Sequence, residues 1–167
     1  MSMSMTSQSH PARQNPYSSA VINKMQVKLP ALSVNEGMAR ATVAAFVSQL
    51  DPSVTELADI KCAVSEAVTN SIVHGYRNAV GGPQIITITV SILEGRAVKI
   101  EIKDKGCGIP DVRAARQPLY TTDAAGERSG MGFTVMESFT DRLRVTSKVG
   151  RGTTVTMFRK FSDRGRI

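Results

Sequence analysis

The chain runs to 167 residues, a length at which folding buries roughly 70% of the extended-chain surface and one self-sufficient core is the default. Hydrophobic residues make up 41% and charged residues 21%, which argues against a disordered or fibrous chain, and no apolar run approaches the ~20 residues that span a bilayer, so no membrane partner is expected. With 21 Lys and Arg against 14 Asp and Glu the formal charge is +7, which favours an anionic partner: a nucleotide, a nucleic acid or an acidic protein. Cys62 and Cys107 form no C-x-x-C pair and the chain has only two histidines, so a zinc site is not expected. The first residues contain no apolar signal segment, and the expected location is cytoplasmic and reducing.

Residues 1–20 are rich in Ser, Gln, Pro and Asn and bury too little surface to offset their chain entropy, so they read as a tail before a domain over residues 21–161, with a short basic tail over 162–167. Val21 to Leu29 has the pattern of a first strand. Ser33-Val34-Asn35-Glu36 has the form of a capping box, and Val34, Met38, Ala41, Ala45 and Phe46 then recur at helical spacing up to Asp51-Pro52. A second box, Ser53 to Glu56, opens a helix with Leu57, Ile60, Val64, Ala67 and Val68 on one stripe, running to about His74-Gly75. Gln84 to Leu93 and Arg96 to Lys103 form a hairpin around Glu94-Gly95. In its first strand Ile86, Ile88, Val90 and Ile92 alternate with Thr87, Thr89 and Ser91, which predicts one buried and one polar face. A long glycine- and proline-bearing loop follows from Gly106 to about Gly132. Met131 to Phe139 then reads as a helix, and Leu143 to Ser147 and Thr153 to Phe161 as two closing strands. This order predicts an α+β fold, a two-layer α/β sandwich of one mixed sheet with helices on one face.

Three places along this order carry candidate chemistry. Glu66 and Asn70 lie one turn apart on the second helix, away from the Leu57, Ile60 and Val64 stripe. Together a carboxylate and a neutral amide can supply a base and a carbonyl ligand for Mg²⁺, although the same pair also suits an ordinary solvated face. Asp104-Lys105-Gly106-Cys107-Gly108 follows a strand directly, so that glycines permit close ligand approach and Asp104 can accept from an amino group; a plain strand-to-loop turn has the same look. Gly126 to Phe133 leads into a helix, where backbone N–H groups and Arg128 suit phosphate oxygens or merely start a helix. No G-x-x-x-x-G-K-[ST] occurs, which excludes a P-loop, and no H-R-D or D-F-G segment occurs either. Direct nucleic-acid binding is not expected. Arg142 and Arg144 alternate with Leu143 and Val145 as on a solvated strand face, and no aromatics interleave with them.

E-x-x-x-N on a helix, D-x-G-x-G at a hairpin end, a glycine-rich segment before a helix and Gly152-Thr153-Thr154 on a last strand together resemble the GHKL ATPase superfamily, which takes in gyrase, the histidine kinases and the mismatch-repair protein MutL. Ser65 to Tyr76, Ala115 to Thr122 and Glu127 to Phe133 look like the anti-sigma F factors of endospore formers, and the likeness covers about residues 21–160. The resemblance implies the GHKL (Bergerat) ATP-binding fold with ATP and Mg²⁺ as cofactors. Glu66 would be the general base, Asn70 the Mg²⁺ ligand and Asp104 the acceptor for the adenine amino group. Gly106 and Gly108 would shape that pocket, Thr153 would support adenine, and Thr121, Thr122, Arg128, Ser129, Gly130, Met131 and Gly132 would close over the nucleotide. It further implies a protein serine/threonine kinase that transfers the γ-phosphoryl group to a serine of an anti-anti-sigma factor. The same chain would silence a sporulation sigma factor as a homodimer, with Glu36 and Arg40 on the partner face. Two alternatives stay open: a stress-response type of anti-sigma kinase with another sigma partner, and a non-catalytic module that sequesters its partner when nucleotide is bound. Cys107 inside the glycine box and the long N-terminal tail depart from the family pattern.

Overall fold

The computed structural model describes residues 19–77, 81–118 and 130–163. In chain order the elements are β1 (Val21–Pro30), α1 (Asn35–Val47), α2 (Val54–Asn70), β2 (Ile85–Leu93), β3 (Ala97–Lys103), α3 (Val112–Ala115), α4 (Gly132–Phe139), β4 (Arg142–Lys148) and β5 (Gly152–Lys160). The five strands form one sheet in the order β1-β2-β3-β5-β4. Every pairing among them is antiparallel, where a mixed sheet was expected. The α+β sandwich stands. The sheet lacks a parallel pair because each neighbour in space is reached by a hairpin or by a helical excursion that returns the chain in the opposite sense.

One face of the sheet carries the core. Ile86, Ile88 and Val90 on β2, Ile100 and Ile102 on β3, and Val155 and Met157 on β5 pack with Val43 and Val47 of α1, Ile60, Val64 and Val68 of α2, and Met136 of α4. Each such side chain, fully withdrawn from water, contributes roughly 1.5–3 kcal/mol. The helix stripe predicted for α2 is the buried one, with Leu57 half-covered at its start. For α1 the predicted stripe holds only at Phe46, which is half-buried against the core. Val34 and Met38 are 81% and 59% exposed, Ala41 and Ala45 are also exposed, and the core receives Ala39, Val43, Ala44 and Val47. Both stripes recur at helical spacing, so the periodicity alone could not rank them. The sheet takes the one whose small Ala39 and branched Val43 and Val47 permit close approach.

The two capping boxes diverge as well. Ser53 accepts from Glu56 N while the Glu56 carboxylate accepts from Ser53 N, so the second box forms as read. The first does not: α1 starts at Asn35 with no side-chain cap, Asn35 Nδ2 donates to Pro30 O, and Glu36 turns toward α2. On β2 the polar face is less open than alternation predicts, since Thr89 and Ser91 are 9% and 2% exposed. In a central strand the long side chains of both neighbours lean over such residues, and Gln26 Nε2 donates to Thr89 Oγ1 at 3.1 Å.

The ends of the described domain are pinned by hydrogen bonds. Glu94 N donates to Ala20 O at 3.0 Å. Ser162 donates through N and Oγ to Glu56 Oε1 at 2.9 and 2.8 Å, drawing the chain beyond β5 onto the start of α2. Residues 1–18 of the expected tail and 164–167 of the basic one lie outside the described residues. Cys62 and Cys107 are both free and exposed.

Candidate functional site

The site is built where α2 ends. Beyond Asn70 the helix widens into a π-helical turn over Ser71–Gly75, closed by Tyr76 N donating to Ser71 O at 3.2 Å. Such widening accommodates an extra residue and is frequent at functional positions. It aims Ser71 and Gly75 at the end of β3, and Tyr76 holds the loop by donating to Ile85 O at 2.6 Å and accepting from Lys105 N at 3.0 Å.

Asp104, 3% exposed, stands immediately after β3. Its Oδ1 accepts from Gly106 N at 2.9 Å and Thr153 N at 3.1 Å, and its Oδ2 accepts from Ser71 Oγ at 3.1 Å. Asp104 N also donates to Thr153 O at 3.0 Å, so the residue is fixed from both strands. The carboxylate has no ion-pair partner among the described residues, and Oδ2, with one protein donor, keeps acceptor capacity for an N–H from outside. Thr153 does not present a free hydroxyl: its Oγ1 meets Ser147 Oγ at 2.8 Å, and Ser147 accepts from Ile109 N at 2.8 Å. The threonine thus helps shape the pocket as part of a hydroxyl pair.

Both predicted glycines are required by geometry. A Cβ on Gly106 would lie 1.8 Å from Gly75 O, which accepts from Cys107 N at 2.7 Å. Gly108 has φ +75°, and a Cβ there would stand 2.3 Å from Lys148 O. Cys107 sits between them with Sγ 3.2 Å from His74 O.

The remaining side chains converge at the start of α4. A Cβ on Gly132 would lie 3.1 Å from Glu66 Oε2 and 3.3 Å from Asn70 Nδ2, so the carboxylate and the amide face the N-terminal backbone of that helix together. Met131 precedes it, its carbonyl accepting from Val135 N at 2.8 Å, and Gly130 has φ +65°. Thr121, Thr122, Arg128 and Ser129 lie outside the described residues. Glu36 and Arg40 sit elsewhere, against α2: Ser65 Oγ donates to Glu36, Arg40 Nη1 donates to Ser65 Oγ at 3.3 Å, and Arg40 and Glu36 are 3.6 Å apart. Among the described residues no group of three or more His, Cys, Asp or Glu could hold a metal alone. Asn70 offers one neutral oxygen, and a single protein oxygen fits Mg²⁺, which keeps several waters and is usually completed by substrate phosphates. Ser71, Gly75 and Ser147 belong to the site and were not singled out from the sequence, because regular 100° spacing does not show a π-turn and Ser147 is recognisable only through the β4–β5 register.

The chain matches the family model described as Histidine kinase-like ATPase domain over residues 29–159. It is 53% identical over 137 residues to the anti-sigma F factor of Anoxybacillus flavithermus, covering 82% of this chain and 92% of that protein. It is 51% identical over 140 residues to that of Clostridium acetobutylicum, covering 84% and 95%. Among solved structures, the RsbU and RsbW domains of Rv1364c from Mycobacterium tuberculosis share the fold with a TM-score of 0.64 at 20% identity, covering 87% of this chain and 34% of that one. ShkA in complex with AMPPNP shares it with a TM-score of 0.51 at 18% identity, covering 87% and 33%. The match over most of both chains, with the site laid out on that fold, places this chain in the anti-sigma F factor family of histidine kinase-like ATPase domains.

Proposed function

We propose that this chain is an ATP- and Mg²⁺-dependent protein serine kinase that also binds and silences a sigma factor of sporulation, acting in the cytoplasm as a homodimer. The observation that carries the reading is the convergence of Glu66 and Asn70 on the N-terminus of α4 at Gly132. A helix N-terminus offers unpaired N–H groups and partial positive charge to phosphate oxygens, and here it stands beside a carboxylate and an amide oxygen. When bound, ATP supplies the phosphoryl group and Mg²⁺ the charge that screens it. Glu66 takes the proton from the hydroxyl of a serine on an anti-anti-sigma factor. Asn70 offers its carbonyl oxygen to the metal. Asp104 accepts from the adenine amino group with its spare Oδ2 capacity, while Ser71, Gly106 and Thr153 keep the carboxylate oriented. The likeness to anti-sigma F factors supports the partner assignments, and Glu36 and Arg40, joined through Ser65 to the helix that carries Glu66, are the proposed partner face.

Calorimetric titration of the full chain with ATP, with and without Mg²⁺, beside Asn70→Ala, tests the site. Mg²⁺-dependent binding that the variant weakens at least tenfold is expected, and equal binding by both proteins contradicts the assignment.

A further inference from the structure

The face of the sheet turned away from the helices is strongly basic. Register places Lys24 and Lys28 of β1, Lys103 of β3 and Arg142, Arg144 and Lys148 of β4 on it, cations that are exposed and scattered through the sequence. Among the described residues the strands put one carboxylate there, Glu101, and it is paired with Lys99 at 3.0 Å. No ion pair engages Arg142 or Arg144 among the described residues. Between β3, β5 and β4 the face dips into a depression of about 410 Å³ whose lining includes Lys99, Glu101, Arg142, Arg144, Thr156 and Phe158. Phe158 is half-buried and lies directly across from Lys99 on one side and Arg142 on the other. Chain order hides this grouping, because the aromatic is 16 positions from Arg142 and becomes its neighbour only through the β4–β5 pairing.

We propose that this face binds a single strand of nucleic acid, with phosphates on Arg142, Arg144 and the surrounding lysines and one base stacked on Phe158. The cations span a sheet of roughly 19 Å across its strands at about 4.8 Å per strand gap, so only an extended polyanion engages them together. Among the described residues the exposed large apolar side chains lie on the helices, in loops, at the β4–β5 turn or, as Val21 and Ile22, at the start of the edge strand β1, and none lies on β2, β3, β5 or β4 across the middle of this face. An acidic protein partner needs an apolar centre to its interface, and a membrane needs an apolar wedge, whereas nucleic-acid interfaces are polar and positively charged. A second copy of the chain would bring like charge against like. An antiparallel sheet with a half-buried aromatic among cations is a recurrent platform for stacked bases, and hydroxyls such as Thr156 can donate to the backbone.

The test is fluorescence anisotropy of the full chain with a labelled single strand of about 12 nucleotides, a length within the usual site sizes. With about four phosphates engaged, affinity falls roughly fifty-fold between about 50 and 200 mM salt. The pair Arg142→Gln with Arg144→Gln weakens binding and reduces the salt slope by about 1.4, at about 0.7 per phosphate on single strands. Phe158→Leu lowers affinity about tenfold and leaves the slope unchanged. All three changes lie on the solvent face, and thermal midpoints close to that of the unchanged protein establish that the variants are folded. Absence of binding at about 50 mM salt, a slope the arginine pair does not alter, or competition by polyglutamate equal to that of unlabelled strand each overturns the proposal.

Discussion

A Cβ at Gly106 would stand 1.8 Å from the carbonyl oxygen of Gly75, a distance no side-chain rotation relieves because both partners are backbone. Gly106→Ala must therefore separate the loop after β3 from the π-turn, breaking the bond from Cys107 N to Gly75 O and releasing one of the donors that orient Asp104. The expected outcome is at least a tenfold loss of nucleotide affinity in titration together with a lower melting temperature, and an alanine variant that binds normally contradicts this geometry. At this scale the sequence was legible where chemistry is local. Glu66 and Asn70 are four residues apart on one helix, and D-x-G-x-G is contiguous. Their meeting with Gly132, 62 positions beyond Asn70, depends on α2 packing against α4 and is a fact of tertiary structure.

Glu56 shows how one side chain binds two elements. Burial opposes its charge, but bonds from the backbone and hydroxyl of Ser162 and from Ser53 outweigh that and hold its pKa at about 2, below the ordinary 4.5. Because the folded value is depressed, the stabilisation is complete above about pH 4.5 and is lost as the pH falls toward 2. Glu56→Gln is expected to cost about 2 kcal/mol at neutral pH, the scale of hydrogen bonds to a charged group, and to flatten the acid limb of a stability–pH curve measured by urea melts. An acid limb as steep as that of the unchanged protein contradicts the assignment. The Ser53 box was readable because all its partners lie within one turn, whereas Ser33 to Glu36 has the same pattern and fails because Ser65 and Arg40 take the Glu36 carboxylate. The two stripes of α1 make a further test by the same melts. Val43→Ala removes two methyl groups from a site that is 1% exposed and should cost about 2 kcal/mol, while Met38→Ala, at a position 59% exposed, should cost less than about 0.5 kcal/mol. Equal costs would contradict the observed orientation of the helix.

The molecule as a whole is a sheet with the proposed nucleotide site at one end of its covered face and a basic, polar field on the other. The order of elements was readable from changes in hydrophobic period between about 2 for strands and about 3.6 for helices. The sense of strand pairing was not, since nothing local distinguishes a strand that returns antiparallel from one that crosses over. Nor was the uncovered face, whose cations come from β1, β3 and β4 and gather only when the strands align. The proposed phosphoryl transfer is measured directly as label passing from γ-labelled ATP to the serine of an anti-anti-sigma protein, with the full chain and with Glu66→Gln. Mg²⁺-dependent phosphoserine is expected with the unchanged protein, and a loss of about 10²–10⁴-fold in rate for the variant, with nucleotide affinity retained. No transfer by the folded protein, or transfer that Glu66→Gln leaves intact, contradicts the proposal.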